Sequence, residues 1–181
     1  MRFQGIYRVL LLWVCGFLVS CLNDVDFDQV NDFEMEPVVE NSLVYLEYPV
    51  PVVMDSIPLG LTISDTTGIE LFSNSFTVDN LKKAVLYFET LSTVGQPLSL
   101  EIQLMDDNFV VLQEVAMSLP PSDGQTEQVS AEELIYTEEN VEQLTYVTHV
   151  AFSVDIPYIS NRNENAYVKL KSKGTFYLHI E

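Results

Sequence analysis

The sequence predicts an all-β domain, an antiparallel β-sandwich of immunoglobulin-like or similar type with one short helix. Apolar and polar residues alternate at a period of two in several segments, which is typical of strands with one buried face. These segments are short and are separated by turn-forming residues. Because an open β-barrel would give the same alternation, it is the alternative architecture.

The alternation is clearest in the middle of the chain. Four inward positions are expected there: Leu98, Leu100, Ile102 and Leu104. Apolar runs at 84–89 and 109–117 flank this segment and are joined to it through 94–97 and 106–108. Both connections have the length and composition of hairpin turns, so we expect an antiparallel meander.

The last part of the chain predicts two strands or more. Four residues are expected to face inward from the first: Val150, Phe152, Val154 and Ile156. Two further apolar sets, Val168 with Leu170 and Phe176 with Leu178 and Ile180, are expected to oppose each other across a turn at 172–174. Lysines at 169, 171 and 173 favour an edge strand, where charge prevents edge-to-edge aggregation. A partner site for an acidic glycan or a lipid phosphate is the alternative.

One segment favours a helix. Residues 137–144 are rich in acids near their start, where carboxylates suit the helix dipole, and Thr137 is the expected N-cap. No apolar surroundings that would raise a carboxyl pKa are evident in this segment, so paired catalytic acids are not expected in it.

The first 20 residues have the pattern of a secretory signal. Arg2 and Arg8 precede an apolar run at 9–17, and small Ser20 precedes Cys21. The run is shorter than the roughly 20 apolar residues that a membrane-spanning helix needs. Residues 18–21, Leu-Val-Ser-Cys, resemble a bacterial lipobox. The resemblance implies cleavage before Cys21, a diacylglyceryl thioether on that residue, and acylation of its amine by a fatty acid such as palmitate.

A lipidated acidic tether is expected at 21–36, ahead of a single domain at 37–181. Asp24, Asp26 and Asp28 resemble the start of a calcium loop, but Gln29 and Met35 stand where that loop needs Gly and Glu. The same three acids are similar to the export signal of bacteroidete-type surface lipoproteins, which implies an outer-membrane protein on the cell surface. A solvated spacer is the alternative.

Charge and cysteine content exclude several classes of function. Without residues 1–20, six basic and 27 acidic residues remain, a net charge of −21. Such a chain repels phosphate backbones, so nucleic acid is not an expected partner. Cys15 leaves with the signal and Cys21 is acylated, so no thiol is left for a disulfide, a thiolate metal site or a nucleophile.

Neither a metal site nor a catalytic site is expected, and no cofactor is implied. The strand phase places His149 and His179 on solvent faces, and Asp106, Asp107 and Asn108 belong to a turn whose side chains diverge. No familiar catalytic motif is present in the sequence, so we expect a protein that is not an enzyme.

Two tripeptides are candidate O-glycosylation sites. Asp55-Ser56-Ile57 and Asp65-Thr66-Thr67 resemble the acceptor sites of bacteroidete secreted proteins, with Ser56 and Thr66 as acceptors. Turn residues, with the aspartate capping its own loop, are the alternative.

The expected function is that of a lipid-anchored structural or assembly module of the cell envelope, attached to the membrane through Cys21. The alternative is a surface module that binds a glycan or a peptide. A contiguous apolar patch would favour a protein partner of the envelope, and a concave site with tyrosines and carboxylates would favour a ligand.

Overall fold

The structure is a computed structural model that describes residues 34–50, 60–70, 72, 74–156 and 164–180. The contacts divide the chain into two units, one formed by 1–34 with Glu181 and the other by 35–180. The predictions for Cys21, Asp24, Asp26, Asp28 and Ser56 lie outside the described residues.

The described residues of the unit 35–180 form eight strands and two short helices. The strands are β1 (Val38–Pro49), β2 (Leu61–Gly68), β3 (Leu81–Ser92), β4 (Leu98–Met105), β5 (Val111–Leu119), β6 (Gln128–Tyr136), β7 (His149–Ile156) and β8 (Tyr167–Leu178). The helices are α1 (Ser75–Asn80) and a 3-10 helix (Val141–Tyr146). Among the described residues, no helix combines the length and apolar character needed to cross a membrane.

The described strands form two four-stranded sheets. The first sheet has the order β1-β8-β3-β6 and the second has the order β2-β7-β4-β5, with neighbouring strands antiparallel. This arrangement confirms the predicted antiparallel sandwich. Among these eight strands, the two sheets remain separate and do not close into a barrel.

The pairing of the strands identifies the type of sandwich. β1 pairs with β8, β2 with β7, β3 with β6 and β4 with β5, as if one long hairpin had been folded over on itself. Eight strands paired in this way are a jelly roll. The chain therefore belongs to the jelly-roll type of sandwich, which differs in strand order from the immunoglobulin type.

The core lies between the two sheets and follows the predicted alternation. Leu98, Leu100, Ile102 and Leu104 on β4 are all buried, and so are Val150, Phe152, Val154 and Ile156 on β7. Aromatic rings fill the space opposite, and the rings of Phe72 and Phe176 meet edge to face at 5.6 Å. Burial of these apolar side chains is the main stabilising contribution to the fold.

The predicted meander is confirmed only for its second half. β4 and β5 form a hairpin, but β3 lies in the other sheet. The connection between β3 and β4 is not a hairpin turn, because its Val94 is fully buried and its backbone bonds to distant segments. Thr93 donates its N–H to the carbonyl oxygen of Tyr167, and Ser122 donates to that of Val94.

The predicted turn at 172–174 is wrong, because β8 continues through it. Gly174 faces inward and leaves the space that the ring of Phe176 occupies. The prediction of an edge strand is also wrong, since β8 pairs with β1 on one side and with β3 on the other. Packing and pairing on both sides override the local preference of Ser-Lys-Gly for a turn.

The predicted helix begins later than expected and has a different cap. It is a 3-10 helix over Val141–Tyr146, and Thr137 is not its N-cap. The side-chain oxygen of Asn140 instead accepts a hydrogen bond from the Thr137 N–H at 2.7 Å. Helix α1 was not predicted from the sequence. Its N-cap is Asn74, whose side-chain oxygen accepts a hydrogen bond from the Phe76 N–H at 2.9 Å.

Candidate functional site: a tyrosine-lined depression and an apolar hairpin tip

The outer face of the β1-β8-β3-β6 sheet has a central column of lysines. Alternation along β8 sends Lys169, Lys171 and Lys173 outward. Each ammonium group lies near a glutamate on a neighbouring strand: Lys169 is 3.6 Å from Glu47, Lys171 is 3.3 Å from Glu89, and Lys173 is 3.6 Å from Glu40. The lysines therefore neutralise acids across this face and do not guard a sheet edge.

Two tyrosines on this face are held by glutamates two residues further along their own strands. Tyr87 on β3 donates its hydroxyl to Glu89 at 3.0 Å, and Tyr45 on β1 donates to Glu47 at 3.1 Å. The bond to Glu89 raises the pKa of the Tyr87 hydroxyl above its ordinary value, because the proton is shared with a carboxylate. Since Glu89 also accepts from Lys171, the position of the Tyr87 ring is fixed by a chain of polar contacts.

An open depression of about 520 Å³ lies beside this chain. It is lined by Glu40, Val85, Tyr87, Glu133, Lys173, Thr175 and Tyr177. The strand register explains the arrangement. Val85 on β3 is paired with Thr175 on β8, and this pair lies between the two tyrosines, because Tyr87 is two residues further along β3 and Tyr177 is two residues further along β8. The depression thus has a β-branched floor between two tyrosines, with a carboxylate contributed by each edge strand of the sheet.

Tyr177 also has a cationic neighbour. The ammonium group of Lys83 lies 5.1 Å from the centre of its ring, which is within the range of a cation–π contact. A second depression, of about 390 Å³, shares Tyr177 with the first and is also lined by Glu36 and His179. Nδ1 of His179 lies 3.7 Å from the Glu36 carboxylate.

No protein-family model matches the sequence, and no curated protein matches it. Solved structures resemble the chain at low identity. The infectious bursal disease virus VP2 subviral particle is 10% identical over 80% of this chain and 33% of its own, with a TM-score of 0.45. A "putative secreted protein" from Parabacteroides distasonis is 16% identical over 63% and 37% of the two chains, with a TM-score of 0.39. Desmodium yellow mottle tymovirus is 9% identical over 81% and 90%, with a TM-score of 0.33.

This chain spans about a third of the length of the first solved structures that it matches. With TM-scores this low, the assignment of the fold depends on the strand order of the chain itself. The comparisons assign no function.

The tip of the β4–β5 hairpin is a second candidate surface. Four consecutive apolar residues, called the apolar tip below, are exposed there: Phe109 by 60%, Val110 by 55%, Val111 by 43% and Leu112 by 43%. Phe109 has a φ of 61°, the left-handed region that bulky residues rarely adopt. Its ring lies 4.6 Å from that of His149, centre to centre.

Asp106 holds the tip in this conformation. Its carboxylate accepts hydrogen bonds from the backbone N–H groups of Asn108 and Val110, both at 2.9 Å. Both bonds lower the pKa of the Asp106 carboxyl, because they stabilise its charged form, and the bond from the Val110 N–H has the larger effect. Asp106 therefore has a structural role in the turn, as the sequence predicted.

The remaining predicted residues are placed as follows. Thr66 is exposed on strand β2, where it pairs with Ala151, so the alternative of a turn at this tripeptide is wrong. His149 is half-buried and its Nδ1 lies 2.9 Å from the Thr148 hydroxyl. In the described parts of the chain, no group of three or more His, Cys, Asp or Glu residues is placed to hold a metal ion.

The depression and the apolar tip were not predicted from the sequence. Tyr87 and Tyr177 stand at outward positions of the alternating pattern, which is a signal that could have singled them out. Both tyrosines line one depression only because β3 pairs with β8, and these two strands are far apart in the chain. Phe109 and Val110 were expected to belong to the strand that follows them, because their composition favours one, but β5 begins only at Val111.

Proposed function

We propose that this chain is a lipid-anchored lipoprotein of the outer membrane, displayed on the cell surface, whose sandwich is a non-catalytic structural or assembly module of the cell envelope. The apolar tip carries the assembly part of this proposal. Runs of three or four exposed apolar residues are unfavourable in water unless they meet a partner. The tip also lies at the start of β5, an edge strand of its sheet.

The strain at Phe109 supports the same role. A left-handed conformation costs an L-residue about 1 to 2 kcal/mol, and Gly or Asn would adopt it more easily. The turn nevertheless presents an exposed phenyl ring at this position, held by two hydrogen bonds to Asp106. A docking partner that covers the ring would compensate for both the strain and the exposure.

The anchor is tested by fractionating cells that express the wild type, Cys21→Ala or Cys15→Ala. The wild type and Cys15→Ala are expected to incorporate radioactive palmitate and to remain with the membranes, whereas Cys21→Ala should do neither. Cys15 is a matched control because it lies in the segment that is removed. A membrane-bound, labelled Cys21→Ala protein would contradict the proposal.

Display on the surface is tested by adding protease to intact cells. Cleavage of the wild type is expected, and cleavage only after the outer membrane has been broken would place the protein on the periplasmic side. The triple variant Asp24→Asn, Asp26→Asn, Asp28→Asn should then retain the lipid label but lose its accessibility to the protease, if these three acids form the export signal. Unchanged accessibility would make the segment a spacer.

The assembly role is tested by photo-cross-linking in intact cells. A photoreactive phenylalanine at Leu112 should give a cross-linked product of one defined mass, and the same group at Tyr45, which is also exposed, should not. Phe109→Asp should abolish the product from Leu112. Identical products from positions 45 and 112, or none from either, would contradict docking through the apolar tip.

A second candidate is a module that binds a glycan or a peptide. The depression between Tyr87 and Tyr177 favours it, because two aromatic side chains and two carboxylates converge on one concave site. This site lies on the first sheet and the apolar tip starts from the second, so the two roles are compatible.

A further inference from the structure

We infer that the depression between Tyr87 and Tyr177 binds a neutral saccharide. The inference deepens the second candidate function and does not depend on docking through the apolar tip. Its basis is the combination of aromatic rings, mixed polar groups and fixed geometry in this one depression.

The two tyrosines leave space for a saccharide between them. Tyr87 lies opposite Lys173, which is four residues from Tyr177 on β8, a rise of about 14 Å along the strand. Between them, Val85 and Thr175 form a floor without large side chains. Tyrosine has a broad apolar ring with a polar end. This combination suits a sugar, because the C–H groups of a sugar form apolar faces and the hydroxyls of the sugar lie at the rim.

The polar groups match hydroxyls better than they match charged ligands. Glu40 and Glu133 can accept hydrogen bonds from opposite sides, and Lys173 can donate. A hydroxyl both donates and accepts, so a sugar can use all three groups. The nearby ammonium groups of Lys173 and Lys83 at most balance the two carboxylates of the depression, and the chain as a whole carries a net charge of −19, so phosphate, sulfate and uronic acids are repelled.

The site is largely formed before a ligand arrives. Tyr87 is fixed by its bond to Glu89, which also accepts from Lys171, and Lys83 lies over the ring of Tyr177. Fixed side chains reduce the entropy lost on binding. The depression is open, however, so a single sugar ring is covered only in part, and the expected dissociation constant is on the order of 1 mM.

The test is saturation-transfer NMR on the full-length chain in a detergent without a sugar headgroup. The probes are glucose, galactose, mannose and N-acetylglucosamine, each alone, and a blocked lysine tripeptide represents a peptide ligand. At least one sugar is expected to receive saturation, strongest at its ring C–H protons. Transfer to the tripeptide alone, or to none of the probes, would overturn the inference.

Substitutions locate the binding. Tyr87→Ala and Tyr177→Ala should each weaken sugar binding about tenfold, whereas Tyr87→Phe, which retains the ring, should weaken it less. Tyr45→Ala is the matched control, because Tyr45 lies on the same face with the same bond to a glutamate but outside the depression. An equal loss in Tyr45→Ala would overturn the inference.

Glu133→Gln is included because the tyrosine variants could lose binding by failing to fold. Glu133 is exposed on the edge strand β6, so the substitution alters one charge without disturbing the core. We expect it to weaken sugar binding, and unchanged binding would argue against the assigned site. These measurements use no partner protein, so their failure would leave the cross-linking result at Leu112 unaffected, and the reverse also holds.

Discussion

Gly174 and Phe176 share one inward space on β8, because the ring of Phe176 folds back over the glycine. A Cβ atom built on Gly174 would lie 2.3 Å from Cζ of that ring. Phe176 is itself buried and contacts Phe72 at 5.6 Å, so its ring has little freedom to move away. A glycine is therefore required in the middle of this central strand.

Gly174→Ala is predicted to destabilise the domain by about 1 to 3 kcal/mol, the usual cost of overpacking a core. Urea unfolding measures this change. Gly68→Ala is the control, because Gly68 also lies in a strand but its Cβ would meet only the Thr148 carbonyl oxygen, at 3.9 Å. The control should be neutral or slightly stabilising, since alanine restricts the unfolded chain. Equal effects at both positions would contradict the steric explanation.

Ser172→Ala is predicted to destabilise the domain by about 1 to 3 kcal/mol, because a backbone group would lose its hydrogen bond. The hydroxyl of buried Ser172 accepts from the Val44 N–H at 2.8 Å, where β1 has an irregular register against β8. Thermal or urea unfolding measures the effect. Ser99→Ala, on the exposed face of β4, should change stability by less than about 0.5 kcal/mol. A neutral Ser172→Ala would mean that the hydroxyl does not stabilise the irregularity.

Asp106 is predicted to make the stability depend on pH. Its folded pKa lies below the ordinary value of 3.8, so its contribution is fully present above that value and is lost as the pH falls through the folded pKa. Asp106→Asn should therefore lower the urea midpoint at pH 7 and have a much smaller effect under strongly acidic conditions. Asp107→Asn is the control from the same turn. A pH-independent difference for Asp106→Asn would contradict the prediction.

The hydroxyl of Tyr167 is predicted to lose its proton at a higher pH than that of an ordinary tyrosine. Its hydroxyl donates to the Glu127 carboxylate, and this bond raises its pKa to about 12. Because the folded pKa is raised, the stabilisation is present below the unfolded pKa of 10.0 and is lost as the pH rises towards 12. NMR titration of labelled tyrosines measures the value. Glu127→Gln should lower it towards 10.0, whereas Glu132→Gln should leave it unchanged.

Several features could be predicted from the sequence because they depend on local pattern. The alternation at 98–104 and at 150–156 identified the buried faces of β4 and β7, since a period of two sends successive side chains to opposite sides of a strand. The turn at Asp106 was also identified, because an aspartate can bond the backbone two residues ahead of it. The lipidation of Cys21, the acidic tether and glycosylation at Ser56 or Thr66 remain predictions.

By itself, the sequence determined the class of fold, the inward faces of its strands and the acidic charge of the chain. Only the tertiary structure decided the jelly-roll order, the continuity of β8 through Ser172 and Gly174, and the convergence of Tyr87 with Tyr177. The physical reason is the distance along the chain. Periodicity records which side of a strand is buried, whereas strand pairing depends on contacts between segments far apart in sequence, and such contacts leave no local pattern.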